Sequence, residues 1–596
     1  MERRPPDAPD ERERRLSPRT PRRTATRATP ASQALASLES IAREFGPGIG
    51  RRKRALLVRL EHASLPDAAA VERLHEVASF LLAYPDDARV HRAASRLLTE
   101  FAARRDLQRL APELVNSGIA GTAIEYRFFS KMARWLASRW PERMAIDWEQ
   151  LDDTALLEAL LPLLAHPAEA PALDEYDLGL RGWLDRMKGP GESDAAFLVR
   201  AIASLPAAWP LRAVLQDALD VPMSLAWGPS GPTRTAVRVH TPKTGLRGSA
   251  DLSPQQRPLS RERPDLVIEA HHRPVRVITL TPAEGELCVD VARAAMVTRQ
   301  RDLDAFANAD PRDARLIEYE DGVSFICLGV VPADRLLLES VYGFITLKNG
   351  TPIGYVLTSA LYQSCEIAYN VFDTFRGAEA AVVYARVIAM SRHLFGANVF
   401  TIYPYQLGDG NDEAVESGAW WFYYKLGFRP KHRGIKRLVA RELARMQRHP
   451  THRSSPSTLR RLAADNLYLC LGADRHDVIG QLPLASVGLA VSDLLAARYG
   501  SARADATAAL TREAQRLLGV QTTRRWRPAE REAFDRWAPL VLALPEIRRW
   551  NPADRQALAG VIRAKGGVRE SDFVHRFDAH RRLRQALAAL SHRATP

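Results

Sequence analysis

Two stretches hold the densest chemistry in the chain, CEIAYNVFDTFRGAEAAVVYARVIAM from Cys365 and SGAWWFYYKLGFRP from Ser417. The first reads as a strand, a short turn carrying Arg376 and Gly377, and the start of a helix. Unpaired amides and the positive end of the helix dipole make such a turn attractive to anions and suited to a pyrophosphate. Gly377 lets the backbone approach a ligand closely. The same pattern also serves as an ordinary strand-to-helix connection. Cys365 has no histidine at a suggestive spacing and reads as a small buried apolar residue. His271 and His272 stand just before the first strand, and no further residues complete a metal-ligand set. Between the two stretches lies YPYQLGDGNDEAVES, whose Asp409, Asn411, Asp412 and Glu413 have the charge and polarity to meet a cationic acceptor such as an amine, or to form a solvated acidic loop. Trp420 to Tyr424 could line an acceptor pocket or pack as helix core.

The elements that must position these residues follow from hydrophobic period. VRVITL, VSFICLGVV, YGFITL, PIGYVLTSAL, CEIAYNVF and VFTIYPY are short runs of β-branched and aromatic residues and predict strands. Asn349-Gly350 falls between two of them and predicts a tight antiparallel hairpin. Apolar residues from Ala380 to Leu394 recur on one stripe, so a long helix is expected over about 378–395, closed by Gly396. Helical spacing elsewhere divides the chain into a flexible basic tail (1–35), an all-α domain (36–222), a Gly/Pro/Ser/Thr-rich linker (223–264), a mixed-sheet domain with a crossover helix (265–479) and a C-terminal helical region (480–596).

The order of hairpin, strand, Arg-Gly turn, long helix, strand and FYxKLGFxP resembles the GNAT superfamily of N-acetyltransferases, over about residues 265–440. Phe422, Tyr423, Lys425, Leu426, Gly427, Phe428 and Pro430 carry the likeness, with Ala419 at the usual small position. The resemblance implies a GNAT-like α+β fold and a site for acetyl-CoA or another acyl-CoA. It implies cofactor contacts from Phe372, Arg376, Gly377, Ala378, Ala380 and Ala381. Glu366 then matches a carboxylate used as base, Tyr423 matches the general acid at the leaving sulfur, and Asp409, Asn411 and Trp420 fall where the acceptor would lie. The turn departs from the superfamily's pattern at Glu379, where glycine is usual, and Glu416 replaces a frequent asparagine. A pyrophosphate requires Glu379 to turn outward or to pair with Arg376 or Arg386.

The 596 residues carry 84 Lys and Arg against 70 Asp and Glu, a net charge of +14 that favours anionic partners. At 46% hydrophobic and 26% charged, the composition is that of a folded globular chain. Four scattered cysteines without CxxC spacing exclude a disulfide framework and point to a reducing compartment. No apolar secretory segment or membrane span is expected, and the chain reads as cytoplasmic. Three functions follow. The first is an acyl-CoA-dependent N-acyltransferase acting on a small-molecule or protein amine. The second is a catalytically inactive GNAT-like binding or scaffold protein. The third is an RNA-associated transferase, suggested by the basic segment from Lys431 to Arg461, which lacks interleaved aromatic residues for base stacking.

Overall fold

Asp67 and Asp87 start two of the opening helices by accepting bonds from the amides of Ala70 (2.8 Å) and Val90 (2.8 Å), the side-chain capping that satisfies orphan donors. The helices they cap, Ala68–Ala83 and Ala88–Thr99, pack with Pro30–Ile41 and Ile49–Glu61 through Leu35, Leu57, Leu74 and Leu97. This computed structural model describes residues 29–206, 209–235 and 252–593. Thr29 caps the first helix, so order begins before residue 36, and the rest of the expected tail lies outside the described residues.

The N-terminal domain is not all-α. Three short strands, β1 (Ile124–Tyr126), β2 (Met144–Ile146) and β3 (Met223–Leu225), form a small antiparallel sheet with β3 in the centre. β3 thus belongs to this domain, although composition assigns it to the linker. At three residues each, these strands are too short to show a period of two. The described parts of the linker are also packed: Thr235 bonds His75 at 2.9 Å, and Ser253 donates its amide to Asn349 at 2.9 Å.

The large sheet has nine strands. They are β4 (Arg276–Thr279), β5 (Ala309–Glu318), β6 (Val323–Val330), β7 (Ser340–Lys348), β8 (Thr351–Leu361), β9 (Ser364–Val371), β10 (Val399–Ile402), β11 (Arg429–Pro430) and β12 (Leu467–Cys470). Their spatial order is β11-β12-β10-β9-β8-β7-β6-β5-β4. Every neighbouring pair is antiparallel except β9 and β10. Asn349 and Gly350 take the positive φ values, 49° and 78°, that close the β7–β8 hairpin with Lys348 opposite Thr351. Helix Ala380–Phe395 crosses from β9 to β10 and ends at left-handed Gly396.

Both faces of the sheet are covered, which explains strands such as VSFICLGV that are apolar along their whole length. Ile326, Leu328, Ile345 and Leu347 pack against the N-terminal domain. Phe325, Cys327, Phe344 and Val356 pack against helix Ala380–Phe395 and the C-terminal helices, which run from Leu484 to Arg593. The molecule is a mixed α and β protein with helices at both ends and the large sheet between them.

Candidate active site

β9 pairs with β8 from Ser364 to Val371, but with β10 only at Ser364, Cys365 and Glu366. Beyond Glu366 the two parallel strands part. The β10-facing edge of the second half of β9 is therefore outside any ladder, and Ala368, Tyr369, Asn370 and Val371 are half-buried although β6 to β8 beside them are almost wholly buried. Alternation along β9 sends Cys365, Ile367 and Tyr369 toward helix Ala380–Phe395, and Glu366, Ala368 and Asn370 toward the other face. The Tyr369 and Tyr384 rings, 5.3 Å apart, mark the helix side.

The turn that leaves β9 is held from outside the sheet domain. Arg43 donates to the carbonyls of Arg376 (2.7 Å) and Thr374 (3.2 Å), while the Thr374 hydroxyl bonds Glu76. With these carbonyls turned to Arg43, the amides of Gly377, Glu379, Ala380 and Ala381 have no acceptor among the described residues. Gly377 sits at φ 75°, in the left-handed region. Four unpaired donors at the start of a 16-residue helix are a site for an anion.

Glu379 does not use the partners expected of it. Its carboxylate lies 3.8 Å from Lys348 Nζ and accepts the Ser260 amide at 3.3 Å. Arg376 instead pairs with Asp373 at 2.8 Å and with Glu413, and Arg386 pairs with Glu269 at 2.6 Å. Phe372 and Ala378 are buried, so their side chains support the turn from beneath and do not offer themselves to a ligand. Arg299 covers the Phe372 ring at 3.5 Å. Gly377 is exposed, and Ala380 and Ala381 are half-exposed.

Tyr423, on helix Ala419–Lys425, is buried against Tyr384 (5.5 Å between ring centroids), Phe422 and Phe428. Burial raises its phenol pKa, and its hydroxyl has no hydrogen-bond partner among the described residues. The hydroxyl of Tyr384 is buried and unpartnered. A buried phenol without a partner is costly, and the Tyr384 hydroxyl beside the Tyr423 ring is one. Sequence reasoning counted Tyr384 among the apolar stripe of its helix. Its spacing is indeed that of core, and only the tertiary contact with Tyr423 sets it apart.

Glu366 is half-buried at the last β9–β10 pair, opposite Thr401, on the face away from Tyr423. The two residues expected to act as base and acid thus approach each other only through the parting of the strands. Trp420 is core: it is fully buried, stacks on Tyr424 at 5.2 Å and donates its indole N–H to the Leu462 carbonyl at 3.0 Å. It cannot contact an acceptor. Asn411 caps helix Asp412–Ser417 through the Ala414 amide (3.1 Å), so that its polarity serves the loop, whereas Asp409 is exposed. Cys365 is fully buried, and burial raises its thiol pKa, as expected of an inert packing residue. No cluster of three potential metal ligands occurs among the described residues. No helix among them is long and apolar enough to cross a membrane. Comparisons with family models, curated proteins and solved structures return no match to this chain.

Proposed function

We propose that this chain is an acyl-CoA-dependent N-acyltransferase of GNAT type. The observation that carries the reading is the parting of parallel strands β9 and β10 beside Tyr423 and the buried, unpartnered phenol of Tyr384, with unpaired amides at the start of the helix that joins the strands. The neighbouring topology supports it, since β12 lies between β10 and β11, and the Arg-Gly turn and the FYYKLGF helix flank the opening. The donor set fits a diphosphate: the amides of Gly377 and residues 379–381 are uncommitted, and Lys348 draws the Glu379 carboxylate aside.

In this reading the free edge of β9 from Ile367 to Val371 offers main-chain donors to an acyl carbonyl and fixes its plane. Attack by an uncharged amine forms the C–N bond, and collapse breaks the C–S bond. Glu366 takes the proton that the amine loses, directly or through water. Tyr423 gives its proton to the departing sulfur, with Tyr384 the phenol packed against it. Because burial holds these phenols protonated at neutral pH, they enter the reaction as acids.

Acyl transfer from acetyl-CoA to a panel of amines, followed by release of free thiol, tests the proposal. Tyr423→Phe is expected to lower kcat by about 10²-fold with the melting temperature retained. Unchanged turnover would remove the acid from this site. A second reading, a binding module without turnover, is favoured by one observation: Arg376, the cation nearest the turn, is already paired with Asp373 and Glu413. Saturable acyl-CoA binding with no thiol release for any amine supports that second reading.

A further inference from the structure

Helix Arg433–Arg448 follows β11 and has two unlike sides. Ile435, Leu438 and Val439 are buried against the sheet domain. So is its one acid, Glu442, which accepts from Ser454 (2.7 Å), Arg445 (2.9 Å) and His452 (3.1 Å). Arg433, Lys436, Arg437 and Arg441 are exposed, and none of them forms an ion pair among the described residues. Arg433, Arg437 and Arg441, at i, i+4 spacing, follow one another about 6 Å apart along the helix axis.

That line borders a cavity of about 850 Å³ whose lining includes Leu426, Val439, Leu443 and Leu469, with Arg263, Lys425 and the acids Asp265 and Asp474. Lys436 and Ala440 form the shared wall between the cavity and the cationic line. The cavity has the size and lining of a small-molecule site. Arginine predominates, and its planar fork suits phosphate oxygens. A bilayer is the poorer partner, because the apolar side that an interfacial helix would insert is already buried in the protein.

We infer that this helix face and the adjoining cavity bind single-stranded nucleic acid, with phosphates on Arg433, Arg437 and Arg441 and one unpaired nucleoside in the cavity. Base pairing would keep a nucleoside out of the cavity, so a duplex binds less well. Phosphate contacts position the strand without reading its sequence. The inference stands apart from acyl transfer and is tested without turnover.

The test is fluorescence anisotropy with labelled single-stranded RNA and DNA of about 20 nucleotides, the matching duplex as competitor, and phosphatidylserine vesicles as a separate arm. Raising salt from about 50 to about 200 mM should weaken binding by about 20–50-fold, as expected for three to four phosphates neutralised on a single strand. Reversing Arg433, Arg437 and Arg441 to Glu together should abolish binding and leave the melting temperature unchanged. If that protein is less stable, the triple change to Gln must still flatten the salt dependence. Ala440→Trp should fill the cavity and lower affinity at every salt concentration, and unchanged affinity there would remove the cavity from the surface. No binding at the lowest salt, preference for duplex or vesicles, or wild-type affinity in both triple variants overturns the inference.

Discussion

At the scale of single residues, the site depends on where one carboxylate goes. Glu379 begins the helix whose free amides would receive a diphosphate, and Lys348, buried at the end of β7, draws it away. Lys348→Met releases that carboxylate and is expected to weaken acyl-CoA binding by roughly tenfold, or ~1.4 kcal/mol, in a calorimetric titration. Adding Glu379→Gln should restore affinity, and a double variant no tighter than the single one would show that the ion pair does not guard the amides. The Arg-Gly turn and Tyr423 were legible in the sequence because both sit in local motifs. Lys348 and Arg43 were not, since one lies 29 and the other 334 positions from Gly377 before the fold brings them together.

At the scale of elements, the β7–β8 hairpin shows how a local signal acquires a distant role. Asn349 not only adopts positive φ; its side-chain Nδ2 donates to the carbonyls of Ala83 (2.8 Å) and Ser253 (3.0 Å), tying the tip of the hairpin to the N-terminal domain and to the segment that reaches Glu379. Asn349→Gly keeps the turn and loses these bonds, whereas Asn349→Ala loses both. Urea unfolding should therefore rank Ala below Gly, with Asn349→Ala costing about 2–3 kcal/mol. Equal losses would place the whole effect in the side-chain bonds. The hairpin was readable from Asn349-Gly350, the crossover helix from its apolar stripe, and six strands because they are short runs dense in β-branched and aromatic residues. β5 was not: ADPRDARLIE carries Asp310, Asp313 and Arg315, all buried, and a bulge interrupts its pairing between Asp310 and Ala314. Charge and proline there imitate a loop, and only partners from elsewhere, such as Tyr342 bonded to Asp313 at 2.7 Å, make burial tolerable. β11, two residues long, gives no pattern to read.

At the scale of the whole molecule, stability rests on docking two helical layers against a sheet that is apolar on both faces, and polar groups bridge the seams. On one side Arg335, fully buried, donates to the carbonyls of Lys565 (2.7 Å) and Val568 (3.0 Å) and so fastens the C-terminal helices. On the other, Asp302 accepts the Phe129 amide of the N-terminal domain at 2.7 Å. Burial, with Asp304 and Asp217 nearby, pushes the Asp302 carboxyl up to about 7. The folded protein then holds this proton more tightly than the unfolded chain, in which the group titrates near 3.9. Its contribution to stability is complete at low pH and is lost as pH rises from about 4 to about 7, opposite in sign to a salt-bridged carboxylate. Asp302→Asn keeps an acceptor for the Phe129 amide and cannot ionise. Melting temperatures of the two proteins, measured across that interval, should therefore separate as pH rises, with the Asn variant the more stable at neutral pH. Parallel curves would mean that Asp302 ionises as readily in the folded protein as in the unfolded chain, and that this seam does not exclude water from the carboxylate.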